Sequence, residues 1–329
     1  MKKYVIAACV LAVMIALSPA AMADSYTEPG RPVSFEGSIL EVIASEAMNE
    51  DSASPEPSGS APVAENQEIE TYRGVAVGGR LTAVDPDGGE LYFELTTEPV
   101  KGKVVLSADG YFVYTPNEGK RGKDYFAFRV TDEQGNKSQE GTVVIRLVRQ
   151  RTDVCYADLD GDGCAYSATV LAENGIFIGE KVGSDWVFSP DEAVSRGEFL
   201  SMCMVLGGED IVQGVLSTGF MDDGDIDAWV KPYVSTALMQ GYIAGTGADG
   251  AASFLASDSV TLEDACAMLN AVVGVTDVAS VSAVDGGSQA VANLRACGIL
   301  SGDAPLDAPV TRRDAAELLA GALDVLSRR

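Results

Sequence analysis

Three stretches of this chain repeat one helix-start pattern, and the repetition constrains the fold more than any other feature. In each stretch a hydroxyl residue is followed three positions later by a carboxylate, an arrangement called a capping box, in which each side chain bonds the other residue's backbone N–H. The three pairs are Ser195 and Glu198, Thr261 and Asp264, and Thr311 and Asp314. Apolar residues follow each pair at helical spacing, so each predicted helix has one apolar face.

An earlier helix in each copy is predicted to end on a glycine, at Gly175, Gly241 and Gly298. Glycine readily adopts the left-handed conformation that stops a helix. A helix–loop–helix unit with a single apolar face cannot bury that face alone, so the three units are expected to pack together. We therefore predict an all-α, pseudo-threefold module with copies at residues 154–209, 219–275 and 277–327.

Residues 62–149 have a different pattern, with a period of two. β-branched and aromatic runs at 111–114, 125–130 and 142–148 alternate with turn sequences such as Asp109-Gly110. Short strands separated by such turns predict a small antiparallel β-sandwich. The expected fold is thus multidomain, with this sandwich followed by the helical module.

The beginning of the chain has the composition of an export signal. Lys2 and Lys3 precede an apolar run and the small-residue site Ala21-Met-Ala23, which predicts a signal peptide over residues 1–23. The alternative is an uncleaved membrane anchor, but the run is shorter than the ~20 residues that span a bilayer. Residues 24–61 are acidic and rich in Ser and Pro, and we expect a disordered linker there.

Charge and residue types exclude several functions. The net charge is −26, which argues against nucleic acid, because binding it needs clustered cations. The chain has no histidine, so the commonest general base is missing. No nucleophile arrangement or phosphate-binding glycine loop is recognisable. We expect a protein that is not an enzyme, and no transmembrane segment.

Two family resemblances follow from these patterns. Residues 83–88, 110–116 and 130–135 resemble the bacterial immunoglobulin-like or cadherin-like domains of surface proteins. The helical part resembles the S-layer homology family in Tyr156-Ala-Asp158, Leu171-Ala-Glu-Asn-Gly-Ile176, Phe188-Ser-Pro-Asp191 and Val194-Ser-Arg-Gly-Glu198. In that family three copies bind secondary polymers of the bacterial cell wall.

The second resemblance implies an exported protein held non-covalently at the cell wall or S-layer, with the sandwich as spacer or adhesive module. The alternative is a calcium-dependent adhesin that acts mainly through the cadherin-like domain. A third class, a wall-modifying enzyme, has little support, because no further domain remains to hold an active site.

The S-layer homology resemblance also implies binding residues. Arg196 and Arg312 match the family's arginine that meets the acidic group of the wall glycan, and a guanidinium fork suits a carboxylate such as a pyruvyl ketal. Trp229 matches the family's tryptophan at the start of the first helix. The alternative is that both arginines form surface salt bridges and that Trp229 belongs to the core.

Two of these positions are altered in other copies. Leu262 replaces the arginine in the second copy, and Gly163 and Gly286 stand where the tryptophan would be. The expected partner is therefore an acidic or pyruvylated wall glycan, bound by an incomplete set of grooves.

Acidic residues suggest calcium as a candidate cofactor. Asp158, Asp160 and Asp162 match the first half of a calcium loop, although Thr169 stands at its twelfth position. In the sandwich, the turn residues that could converge on calcium are Asp85, Asp87 and Asp132. The alternative is that these are ordinary turn formers.

Five cysteines remain after the predicted signal peptide, an odd number. At least one is therefore free or pairs between molecules, which leaves self-association at the surface open. Cys155 and Cys164 are close enough in sequence to form a disulfide. Cys203 and Cys266 lie on or beside apolar helix faces, where burial is expected.

Overall fold

The computed structural model describes residues 59–244, 252–275, 288–302 and 304–328. The predicted signal peptide lies outside these residues. So do most of the predicted linker, the beginning of the third copy and Gly286.

Nine strands form the N-terminal part of the described chain. They are β1 (Val63–Ala64), β2 (Gln67–Tyr72), β3 (Val77–Arg80), β4 (Ala83–Val84), β5 (Leu91–Thr97), β6 (Gly102–Leu106), β7 (Tyr111–Pro116), β8 (Gly122–Asp132) and β9 (Gly141–Val148). One sheet has the order β2-β9-β8-β5 and the other the order β3-β7-β6, while β1 pairs with β4. The parallel pairing of β2 with β9 departs from the antiparallel expectation. Strands so far apart in sequence share no local turn signal.

The sandwich core follows the predicted alternation along β7, β8 and β9. Phe112 and Phe126 are fully buried, and their rings meet edge to face at 5.2 Å. Burying one such side chain stabilises a fold by roughly 1.5–3 kcal/mol. The buried Tyr114 hydroxyl donates to Asp124 at 2.9 Å, so the polar group that is carried into the core has a partner.

Six helices form most of the C-terminal part. They are α1 (Ala165–Glu173), α2 (Arg196–Gly207), α3 (Lys231–Gln240), α4 (Leu262–Val273), α5 (Gln289–Ala296) and α6 (Arg312–Ser327). Gly175, Gly241 and Gly298 have φ near 70°, as predicted for residues that end a helix. Each copy thus contributes one glycine-ended helix (α1, α3, α5) and one capped helix (α2, α4, α6).

The prediction of an all-α module after an antiparallel sandwich is wrong. The part of the chain that the structure describes is mixed, about 28% helical and 26% strand. A hairpin of β10 (Glu180–Val182) and β11 (Asp185–Val187) lies between α1 and α2. Its two-residue turn, Gly183-Ser184, begins with a glycine of φ 66°, a hairpin signal that periodicity of the helices concealed.

The segments before the capped helices also form bridges. The bridged pairs are Ala193 with Thr311, Ser195 with Ser259, and Thr261 with Pro309. An N-cap residue has extended backbone, as at Ser195 with ψ 158°, so neighbouring N-cap segments can exchange hydrogen bonds. The three bridges join every pair of copies, and α2, α4 and α6 contact one another.

The helix caps differ from the prediction at one copy. Complete capping boxes form at Ser195 and at Thr311. At α4, Thr261 accepts from the Asp264 N–H, whereas the Asp264 carboxylate pairs with Arg196 of the first copy. The Asp264 carboxylate therefore forms a contact between two copies and does not cap its own helix.

None of the helices in the described residues is both long and apolar enough to cross a membrane.

Candidate functional site

Arg196, the first residue of α2, connects the first copy to the second. Its Nε donates to the carbonyl oxygen of Phe254 at 3.0 Å, and its guanidinium lies 5.4 Å from the Phe254 ring centroid. A terminal nitrogen pairs with Asp264, and the Arg196 side chain is only 10% exposed. The guanidinium thus already has a carbonyl, a carboxylate and an aromatic face as partners.

Arg312 occupies the same position at the start of α6 and connects the third copy to the first. Its Nη1 donates to the Phe188 carbonyl oxygen at 3.1 Å, and it lies 5.2 Å from the Phe177 ring centroid. Glu180 and Glu192 pair with it at 3.1 and 2.9 Å. Both predicted binding arginines therefore tie neighbouring copies together through groups of the protein itself.

The junction between the second and third copies has neither component of this arrangement. Leu262 stands at the arginine position, and Ala304 stands where Phe188 and Phe254 stand in the other copies. Both substitutions shorten the side chains that would meet. A cavity of about 130 Å³ lies between these residues, Ile299 and Leu318, and Asp314 and Glu317 also line it. Three equivalent junctions thus differ in chemistry.

Trp229 lies at an open groove between the first two copies. Seven residues line this depression of about 300 Å³, which we call the Trp229 groove: Ser195, Glu198, Asp227, Trp229, Val230, Ala256 and Ser257. The indole is 52% exposed and packs edge to face on Tyr233 at 6.4 Å. An indole so exposed beside hydroxyl and carboxylate groups is not a core residue.

The equivalent place between the third and first copies is closed. Gly163 of the first copy is at the position of Trp229 in the second copy. Arg313 of the third copy is at the position of Gly197 in the first copy. The Arg313 fork donates to both oxygens of Asp162, at 2.6 and 3.0 Å, and also pairs with Asp191. This paired cluster lies at the place that corresponds to the Trp229 groove.

The sandwich covers the closed place. The Gly78 N–H donates to the carbonyl oxygen of Gly163 at 2.8 Å, and a Cβ on Gly163 would collide with the Tyr111 hydroxyl. Tyr72 of the sandwich packs on Tyr166 of α1 with ring centroids 5.6 Å apart. Gly163 is therefore needed for close approach of the sandwich to the first copy.

Asp158, the first acid of the predicted calcium loop, holds the loop before α2. Its carboxylate accepts from the Phe188 N–H at 3.0 Å and the Ser189 N–H at 2.7 Å. Asp222 does the same for Phe254 and Leu255 in the second copy. Ser189 and Leu255 have φ of 56° and 61°, so each carboxylate secures an unfavourable backbone.

The other two acids of the predicted calcium loop, Asp160 and Asp162, have different surroundings. Asp160 is exposed and borders a depression of about 230 Å³ between the sandwich and the first copy. Asp162 is paired with Arg313; although burial raises its pKa, hydrogen bonds from Arg313 and from the Cys164 N–H outweigh burial and lower it. Its charge is therefore already compensated.

The three sandwich acids also bond locally. Asp85 accepts from the Asp87 N–H at 3.0 Å, Asp87 accepts from the Ser60 N–H, and Asp132 accepts from the backbone and side chain of Asn136. One Asp85 oxygen is buried without a hydrogen-bond partner. Among the described residues no three His, Cys, Asp or Glu side chains form a group that could hold a metal ion.

The five cysteines of the described residues differ in their exposure. Cys155 is exposed and Cys164 is buried, and burial raises the pKa of Cys164 to about 12. Cys203 and Cys266 are buried in the helical core, as expected from their helix faces. The disulfide between Cys155 and Cys164 stays a prediction.

Comparison with known families identifies the sandwich. Residues 59–149 match the model of the bacterial cadherin-like domain, which confirms that part of the sequence prediction. A search of curated proteins finds no match.

Several solved structures resemble parts of this chain, and each of the following three covers less than a third of it. An endo-fucoidan hydrolase, MfFcnA9 from glycoside hydrolase family 107, is 17% identical over 28% of this chain and 17% of its own, with a TM-score of 0.22. A mutant of the SrpA adhesin from Streptococcus sanguinis is 21% identical over 30% of this chain and 67% of its own, with a TM-score of 0.23.

A third structure, BT4661, is a SusE-like surface-located polysaccharide-binding protein from Bacteroides thetaiotaomicron. It is 14% identical over 27% of this chain and 15% of its own, with a TM-score of 0.21. The chain thus spans less than a fifth of this protein and of the fucoidan hydrolase. Similarities at such TM-scores carry no argument about function.

Proposed function

We propose that this chain is an exported bacterial surface protein whose three C-terminal copies bind a cell-wall polymer. The cadherin-like sandwich then projects from them as a spacer or adhesive module. The copies would be S-layer homology repeats, as the motifs at residues 156–198 indicate. A cadherin-like domain at residues 59–149 is consistent with a location at the cell surface.

The Trp229 groove is the observation that carries the proposal. An exposed indole offers a flat apolar face against which the C–H face of a sugar ring can pack, and its N–H stays available as a donor. Hydroxyl groups of Ser195 and Ser257 and the carboxylate of Asp227 lie around it. A concave site with one aromatic wall and a few polar groups is typical of ligand binding.

The attachment of the sandwich to the first copy supports the spacer role. The buried Glu173 carboxylate accepts from the Arg151 N–H at 2.8 Å and the Thr152 N–H at 2.6 Å, so the connecting segment is fixed to the end of α1. The Arg151 side chain also bonds the Glu173 carbonyl oxygen at 2.9 Å. Because the connecting segment is held in this way, the sandwich would keep a fixed position relative to the anchored copies, as a spacer requires.

Sedimentation with purified cell-wall sacculi tests the proposal. We expect the wild-type protein to sediment and Trp229→Ala to lose most binding, about tenfold, because the sugar platform is removed. Tyr125→Ala is the matched control, since Tyr125 is also 52% exposed but belongs to the sandwich. A wild-type protein that stays in the supernatant would refute wall anchoring.

A second candidate function is calcium-dependent adhesion through the sandwich. It is favoured by the buried oxygen of Asp85 that has no hydrogen-bond partner, because a buried carboxylate oxygen without a donor suits a cation. If calcium binds there, it raises the melting temperature of the wild-type protein and not that of Asp85→Asn. Equal melting temperatures with calcium and with a chelator would exclude it.

A further inference from the structure

The charges around the Trp229 groove restrict the sugar that it takes. We infer that the groove binds a sugar unit that carries hydroxyl or amine donors and no acidic group. This inference rests on the proposed wall-binding function and specifies the chemistry of its ligand. It differs from the expectation of an acidic glycan held by Arg196 and Arg312.

Among the described residues, the lining of the groove contains two carboxylates and no cationic side chain. Glu198 and Asp227 are both on its wall. Arg196 follows Ser195 directly, but its guanidinium bonds Phe254 and Asp264 instead. Lys231, two residues after Trp229, pairs with Asp223 at 2.8 Å. The nearby cations are therefore already paired with protein groups.

Gly197 explains why this groove has no cation of its own. In the closed equivalent, Arg313 supplies a guanidinium at that position. A Cβ on Gly197 would lie 3.0 Å from Val230 and 3.2 Å from the Ala256 carbonyl oxygen, so even a small side chain is tightly opposed. The backbone here approaches its neighbour too closely for an arginine without a shift.

The available polar atoms are mostly acceptors. The Asp227 carboxylate is exposed, and Glu198 uses one oxygen to accept from the Ser195 N–H at 2.9 Å. Acceptors need donors from the ligand, which sugar hydroxyl or amine groups supply. A ligand carboxylate about 4 Å from either acid would instead be repelled, and we expect about tenfold weaker binding from that repulsion.

Trp229 itself can report on binding. The chain has two tryptophans, so Trp186→Phe leaves Trp229 as the single indole. The probes are hexasaccharides of N-acetylglucosamine, glucosamine and glucuronic acid, which are neutral, amine-bearing and acidic. We expect saturable fluorescence changes with the first or the second, and at least tenfold weaker binding of the third.

Asp227→Asn in the same background gives a test of sign. If the ligand supplies donors to this carboxylate, binding of the preferred hexasaccharide weakens about fivefold, whereas an acidic ligand would bind more tightly after the change. Asp225→Asn removes the same charge from the same loop outside the lining and serves as the control. It should leave binding unchanged.

Two results overturn the inference. A glucuronic acid hexasaccharide that binds as tightly as the others shows that the site accepts acids. Failure of all three probes also overturns it. Sedimentation of the Trp186→Phe protein with sacculi then tells separately whether wall binding survives, so the two failures are distinguishable.

Discussion

The first helices of the first two copies are equivalent in sequence position and opposite in environment. Helix α1 is covered by the sandwich, whereas the side of α3 around Trp229 is exposed. Three pairs of matched positions show the contrast. Gly163, Asp162 and Glu173 of the first copy correspond to Trp229, Ala228 and Met239 of the second copy. Glu173 is buried and Met239 is 75% exposed.

The contrast shows that the same repeated backbone can carry either an internal contact, as at Gly163, or an exposed groove, as at Trp229. Both copies have a terminating glycine and a second helix that begins at a hydroxyl cap. What differs is whether the side chains at these positions form hydrogen bonds or ion pairs with other protein groups. Asp162, Arg313 and Glu173 have protein partners, while Trp229 and Asp227 are exposed at the surface. Substitutions that exchange these properties test the comparison.

Glu173→Ala should have the largest effect on the covered copy. It leaves the N–H groups of Arg151 and Thr152 without their acceptor, and we expect a loss of about 3 kcal/mol in the free energy of unfolding. Urea denaturation measures it. Glu173→Gln is the control, because the amide oxygen keeps one acceptor, and it should lose less. A loss below about 1 kcal/mol for alanine would show that the connecting segment is not held by this carboxylate.

The same residue gives a pH dependence. Burial raises the pKa of Glu173, but its hydrogen bonds from Thr152 and Arg151 outweigh burial and bring it to about 2. Because this folded-state pKa lies below the ordinary value of 4.5, the contribution is complete above pH 4.5 and is lost as pH falls towards 2. Glu173→Gln should reduce that acid sensitivity.

Arg312→Ala should destabilise the junction between the third and first copies by about 2 kcal/mol. The Phe188 carbonyl loses its donor and the Phe177 face loses its cation, whereas Glu180 and Glu192 are exposed enough to be hydrated. Arg328→Ala removes an exposed arginine that follows α6 and pairs with Asp324 one turn earlier. That control should change stability by less than about 0.5 kcal/mol. Similar values for both would rule out a tethering role for Arg312.

Arg313→Ala opens the closed place and should cost about 1 kcal/mol, since the pair with Asp162 is partly exposed. The pKa of Asp162 is lowered by Arg313, so this pair stabilises the fold above the ordinary carboxyl pKa and less as pH falls through the lowered value. Denaturation at pH 7 and pH 3 should show the difference shrinking in acid. Arg313→Lys keeps the charge but loses the guanidinium fork, so its stability should lie between that of the wild type and that of Arg313→Ala. A difference that grows in acid would contradict the assignment.

Trp229→Ala should have the smallest effect on stability, within about 0.5 kcal/mol, because its indole is half exposed. Circular dichroism during urea denaturation measures this without relying on tryptophan emission. Trp186→Ala is the structural counterpart, since Trp186 pairs with Lys181 in the β10–β11 hairpin and should cost more. If Trp229→Ala destabilised the protein as strongly, the indole would be a structural residue.

Local signals in the sequence predicted several parts of the structure. The caps at Ser195 and Thr311, the left-handed glycines and the buried helix faces depend on residues within one turn of each other, and all are present. The strands of the sandwich followed from turn motifs and alternation, and its cadherin-like family from a resemblance that the family model confirms. These features need no knowledge of which segments meet.

The all-α expectation failed where distant segments pair. The bridges between the N-cap segments of the helical part join residues far apart in sequence. The expectation of a purely antiparallel sandwich failed for the same reason, because the parallel pairing of β2 with β9 also joins distant residues. The hairpin at Gly183 was local and its turn signal was present, but the helical periodicity on either side dominated the prediction. Hydrogen bonds between remote strands have no signature in a sequence window.

For the candidate site, the sequence determined which residue types recur and which copies depart from the pattern: Arg196 and Arg312 against Leu262, and Trp229 against Gly163. Only the tertiary structure decided what these residues meet. Folding places Asp264 beside Arg196 and Arg313 beside Asp162, and it seats the sandwich on Gly163. A side chain is free to bind only when no protein partner reaches it, and the partners here come from other copies or from another domain.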